Sequence, residues 1–105
     1  MPRETLDRLI EILRSARDRK RMYFMPVGPI AVVHWIHGLT TGCSLVGLEW
    51  SLPYRRLAVE RRGLTFSAAG ETHELEQRGR SPEEIVHELL SIEIEMWESH
   101  RDHLA

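Results

Sequence analysis

With 105 residues, 42% hydrophobic and 29% charged, the chain has the balance of one globular domain able to bury a core without disulfides or metal. Its net charge of −2 offers no overall basic field to nucleic acid, and no apolar run approaches the roughly 20 residues of a membrane span. Cys43 has no cysteine to pair with, and Met1-Pro2-Arg3-Glu4 lacks the apolar stretch of a signal peptide, so a cytoplasmic or other reducing setting is expected.

The first helix is predicted over residues 4–19, where Leu6, Leu9, Ile10, Leu13 and Ala16 repeat at the spacing of one helical face. It ends in the basic cluster Arg17-Asp18-Arg19-Lys20-Arg21, suited to the carbonyl end of a helix dipole. Met22-Tyr23-Phe24-Met25 reads as a short extended stretch stopped by Pro26. Pro29 then suits the first position of a second helix over 30–46, apolar nearly all round and expected to be central. A third helix is predicted over 54–62, with Pro53 near its start and Gly63 just past its end. The alternation at 57–61 and 64–68 also fits a hairpin, and 64–70 carries the weakest signal. A short helix over 71–78 stops at Gly79. The last helix, 81–100, has the strongest signature: Ser81 and Glu84 as a capping box, with Pro82 at the first helical position. These elements define an all-α fold, a small bundle of four to five helices in one domain over 1–105, its long C-terminal helix packed on the apolar second helix.

Charge is segregated along the chain. Residues 3–21 and 55–62 each sum to +3, whereas 71–98 sums to −7, which favours packing of the last helix against the N-terminal half. Within that helix Ile85, Leu89, Ile92 and Met96 form one apolar flank, and Val86, Leu90, Ile94 and Trp97 a second. Glu93 and His100 lie in the seam between them. An enclosed carboxylate is costly unless paired, so Glu93 requires a partner, with an arginine such as Arg55 or Arg56 the simplest.

His34, His37, Thr41 and Ser44 share about 80° of arc on the second helix. His34 and His37, three residues apart, joined by Glu93 from a facing helix, form a candidate site for a divalent metal, the alternative being that the stripe is simply a solvent-facing edge. No other cofactor is implied. Glu84 and His87 give a lone Glu-x-x-His, half of what a carboxylate-bridged dimetal bundle needs, and His100 and His103 lie near the terminus. Cys43 maps to the apolar side of its helix and reads as a small buried hydrophobe. Nucleophile elbows, phosphate-binding glycine loops and Cys-x-x-Cys pairs are absent. Arg17, Arg19, Lys20 and Arg21 are the candidate nucleic-acid contacts, but a helix pair around Gly79 would present an acidic recognition helix. Residues 19–24 are similar to the opening of the ATPase domain of type II DNA topoisomerases; His34-Trp35-Ile36-His37-Gly38 then replaces that family's acidic and Asp-Asn nucleotide ligands, which removes the implied activity.

The function expected from these residues is a non-enzymatic helical interaction or regulatory domain of bacterial-like character, self-associating or bound to one protein partner, with no membrane or nucleic-acid partner. The two apolar flanks of the last helix together exceed what one neighbour covers, so Val86, Leu90, Ile94, Met96 and Trp97 are the expected interface. The alternatives are a metal protein using His34, His37 and Glu93, and a weak nucleic-acid binder using the arginine clusters.

Overall fold

A computed structural model of the chain describes residues 2–65 and 70–104. Among them there are six helices and no strand: α1 (Pro2–Asp18), α2 (Lys20–Tyr23), α3 (Pro29–Leu45), α4 (Leu52–Arg61), α5 (Gly70–Gln77) and α6 (Pro82–Asp102). The expected all-α bundle forms, with the long C-terminal helix packed against the others. The additional helix is the single turn α2, which takes in Met22 and Tyr23 from the stretch read as extended; Phe24 is the first extended residue. Residues 57–61 are helical within α4, which removes the first strand of the hairpin alternative, while 66–68 of its second strand fall outside the described residues.

Local chemistry sets the helix ends. Ser81 accepts the Glu84 amide at 3.2 Å and Glu84 accepts the Ser81 amide at 2.9 Å, completing the capping box that opens α6. α4 and α5 each stop at a glycine with positive φ, Gly63 at 71° and Gly79 at 75°. That conformation costs glycine nothing, and it lets Leu64 donate to the Val59 carbonyl and Arg80 to that of Leu75, both at 3.2 Å. Leu64 buries its side chain in the process, so the α4 stop is also a core contact.

α6 takes the middle of the bundle, packing most extensively on α1 and α4 and less on α3. Both of its apolar flanks are enclosed, with Val86, Leu90, Ile92 and Met96 fully buried and Trp97 nearly so. Each such side chain contributes roughly 1.5–3 kcal/mol, so this helix carries much of the core. The segregated charges meet across it within one chain. On the α1 side Asp7 pairs with Arg101 at 3.0 Å and Arg14 with Glu98, and Arg21 of α2 pairs with Glu83 at 3.5 Å, a descending register that makes α1 and α6 antiparallel. On the α4 side Arg62 spans Glu88 at 2.8 Å and Glu95 at 2.6 Å.

α3 behaves differently from its expected central role. Val32 and Cys43 are its fully enclosed residues, while Ile30 and Leu45 are 77% and 84% exposed. Trp35 ties it edge-on to Tyr23 and Phe24.

Candidate functional site

Glu93 enters the core because its neighbours in sequence do. Ile92 and Ile94 are buried on either side, so α6 cannot turn position 93 to water, and the residue is only 2% exposed. Its partner is Arg55 from α4, placed one turn into a helix that Ser51 caps through the Tyr54 amide. The planar guanidinium is shared: Nη1 donates to Glu93 Oε1 and Nη2 to Glu71 Oε1 from α5, so one arginine answers two carboxylates. Trp50 lies beneath this arginine, with the guanidinium carbon 5.8 Å from its ring centre.

Burial pushes the Glu93 carboxyl above its ordinary 4.5; Arg55 pulls it back and the Glu71 charge adds to the rise, leaving it raised. The field extends further, because burial first and the Glu93 charge second also raise the Cys43 thiol. A raised, buried thiol is a packing residue, as its helical position implied.

Beside Glu93 a cavity of about 280 Å³ opens between α3, α4 and α6, with Val33, Ile36, His37, Thr40, Trp50, Arg55 and Leu89 completing its lining. No described side chain donates to Glu93 Oε2. The second carboxylate, Glu71, was visible in sequence merely as a first-turn acid of its short helix, and Trp50 as an aromatic before a cap. Neither position signals that tertiary packing brings them to one arginine.

The expected metal site is corrected by these contacts. His34 and His37 are exposed; His37 reaches the cavity edge, but His34 lies over a separate hollow with Thr72, Glu76 and Arg80, and Arg55 already occupies Glu93. Among the described residues no group of three or more His, Cys, Asp or Glu is placed to hold a metal ion. Thr41 donates to the His37 carbonyl and Ser44 to Glu49, so the polar stripe is the solvent edge of α3.

The expected interface is corrected as well. Val86, Leu90, Ile94, Met96 and Trp97 are closed off by the chain's own helices, because the second flank of α6 is covered inside the molecule. The candidate nucleic-acid residues are largely engaged with the protein. Arg17 donates to Ser91 at 3.2 Å, Lys20 donates to the Arg17 carbonyl at 2.6 Å and contacts His87 at 3.3 Å, and Arg21 pairs with Glu83 at the surface; Arg19, at the N-cap position of α2, is exposed and makes no side-chain cap bond. No helix among the described residues is long and apolar enough to cross a membrane.

Comparison with protein-family models, curated proteins and solved structures found no match to this chain.

Proposed function

We propose that this protein is a non-enzymatic helical interaction domain, of a regulatory kind, that self-associates through α3. One observation carries the reading. Residues 22–48 contain no Asp, Glu, Lys or Arg in a chain that is 29% charged, and Met22, Met25, Ile30, Leu45 and Val46 stand exposed on that stretch. They stand at the two ends of α3, with the exposed His34, His37 and Thr41 between, and apolar exposure gathered on one charge-free segment points to a contact site more than isolated residues do.

The occupant that fits is a second copy of the chain. A two-fold interface must be self-complementary, so knob and hollow have to lie on one face. Here Leu45 protrudes beside an apolar groove of about 290 Å³ between α1 and α3, lined by Leu9, Ile12, Leu39, Cys43 and Leu48. Gly38 and Gly42 edge that groove with open space where a Cβ would stand, which permits close approach of another helix. At about 1.5 Å per residue α3 is roughly 25 Å long, enough with its flanking groove for a face of the order of the 800 Å² per partner of a standard interface. The acidic α6 is occupied with its own arginines and leaves this face, where Arg8 is the one charged residue lining the groove, to the partner. A cytoplasmic setting fits the unpaired, buried Cys43.

Sedimentation velocity from low to high micromolar concentration tests the reading. A concentration-dependent dimer is expected, and Leu45→Glu should weaken it at least about tenfold, equivalent to 1.4 kcal/mol, with the circular dichroism spectrum unchanged. A wild-type chain that stays monomeric at high micromolar concentration overturns the assignment.

A further inference from the structure

We propose that the cavity between α3, α4 and α6 binds a small organic cation, an amine on a compact apolar or aromatic body, with the Glu93 carboxylate as its counterion.

Three features of the cavity converge on that chemistry. The first is charge. Arg55 supplies one positive charge to two carboxylates, Glu93 and Glu71, so the ionised cluster holds one negative charge in surplus. The second is an acceptor oxygen open to the cavity, since Glu93 Oε2 is not among the enclosed atoms that lack a partner. Glu93 Oε1 takes the guanidinium, while Oε2 receives no hydrogen bond from a described side chain, in a carboxylate whose side chain is 3% exposed. Buried carboxylates ordinarily accept on both oxygens, and an N–H donor arriving through the cavity satisfies the second. The third is the remaining lining. Val33, Ile36, Leu89 and the Trp50 ring give apolar walls, interrupted by the Thr40 hydroxyl and the His37 imidazole.

A competing occupant fits less well. An anion meets a guanidinium whose two Nη groups are already donating to carboxylates, and it places a third negative charge beside them. A cationic nitrogen with an apolar body satisfies charge, acceptor and walls together, in the size range of about ten non-hydrogen atoms.

The test uses the intact chain and three probes of one shape: benzylamine, benzyl alcohol and benzoate. Binding is followed by calorimetry and by the indole N–H resonance of Trp50. Benzylamine is expected to bind saturably and move that resonance, with the alcohol and the carboxylate at least tenfold weaker. Glu93→Gln, which keeps an oxygen for Arg55 but loses the charge, should reduce benzylamine affinity at least tenfold. Val33→Phe, which puts a ring into the cavity without touching the ion pair, should abolish binding in a folded protein and decides the matter if Glu93→Gln unfolds. Absence of saturable benzylamine binding at millimolar concentration, equal binding of the alcohol or benzoate, or undiminished binding in Val33→Phe overturns the proposal.

Discussion

Replacing Arg55 with methionine isolates the energetics at the centre of this fold. The substitution keeps the length of the side chain but leaves Glu93 enclosed without a cation. Holding the carboxylate ionised there costs several kcal/mol, about 3–5 where one partner of a buried pair is removed. The cheaper route is to fold with Glu93 protonated. From its ordinary value of 4.5 to pH 7 is about 2.5 units at roughly 1.4 kcal/mol each, so this route caps the loss at about 3 kcal/mol. At pH 4.5 half of the unfolded population already carries the proton, and the penalty nearly disappears. Glu93 of the wild type is itself raised and bears part of the same cost, so the destabilisation by Arg55→Met should be larger at pH 7 than at pH 4.5, by less than about 3 kcal/mol. Urea denaturation followed by far-ultraviolet circular dichroism at the two pH values measures it. Adding Glu93→Leu to Arg55→Met should recover most of the loss, because an apolar pair of similar volume removes the buried charge. A destabilisation that is the same at both pH values, or a double variant no better than the single one, refutes the reasoning.

Further predictions concern neighbouring groups. Because the folded state raises the Glu93 carboxyl, native protein holds more protons than unfolded protein just above pH 4.5, and this group's contribution to stability is full below that pH and declines as pH rises. Glu93→Gln removes that decline, so the variant should match or exceed wild-type stability at pH 7 and lose its advantage toward pH 4. His87 carries the opposite sign for a base: burial first, then Lys20 and Arg17, hold its imidazole below 6.5, so its contribution is present above pH 6.5 and lost as pH falls further. His87→Gln should flatten that acid limb in denaturation curves. Trp97→Ala should cost about 3–5 kcal/mol of folding stability, since it empties a core position; a loss of self-association with stability retained would contradict its placement.

The fold was legible wherever a local signal dictated it. Ser81, Pro82 and Glu84 define the start of α6 through bonds that span three residues, and Gly63 and Gly79 stop their helices through their own backbone freedom. The enclosure of Glu93 was legible too, because two apolar flanks leave a seam that must be inside. Long-range choices were not. An apolar helix reads as central by composition, yet α6 took the centre by offering two apolar flanks together with carboxylates that meet arginines on both α1 and α4. α3 carries no charge with which to be held there. The same reasoning explains the misplaced interface: periodicity shows that Trp97 and Leu90 need cover, but not whether the cover comes from the same chain. The metal reading follows from angle alone: His34 and His37 share a helix edge but open onto different hollows, and the carboxylate facing His37 is already taken by Arg55.

The division of roles between α3 and α6 is the strongest reason to look for function on α3. Ion pairs along α6 are individually modest where exposed, but together they specify one arrangement of α1, α4 and α6 by placing opposite charges in register. α3 adds Val32 and Cys43 to the core, but its side chains make no ion pair with another helix among the described residues. A helix that buries one face, stays free of charge through 17 residues and exposes Ile30 and Leu45 is expensive to leave facing water on its outer side. Placing a charge at Leu45 therefore separates two explanations. If α3 serves only as the lid of its own groove, Leu45→Glu leaves assembly unchanged; if its outer face meets another molecule, the same substitution abolishes that contact while the α1–α4–α6 frame stays folded.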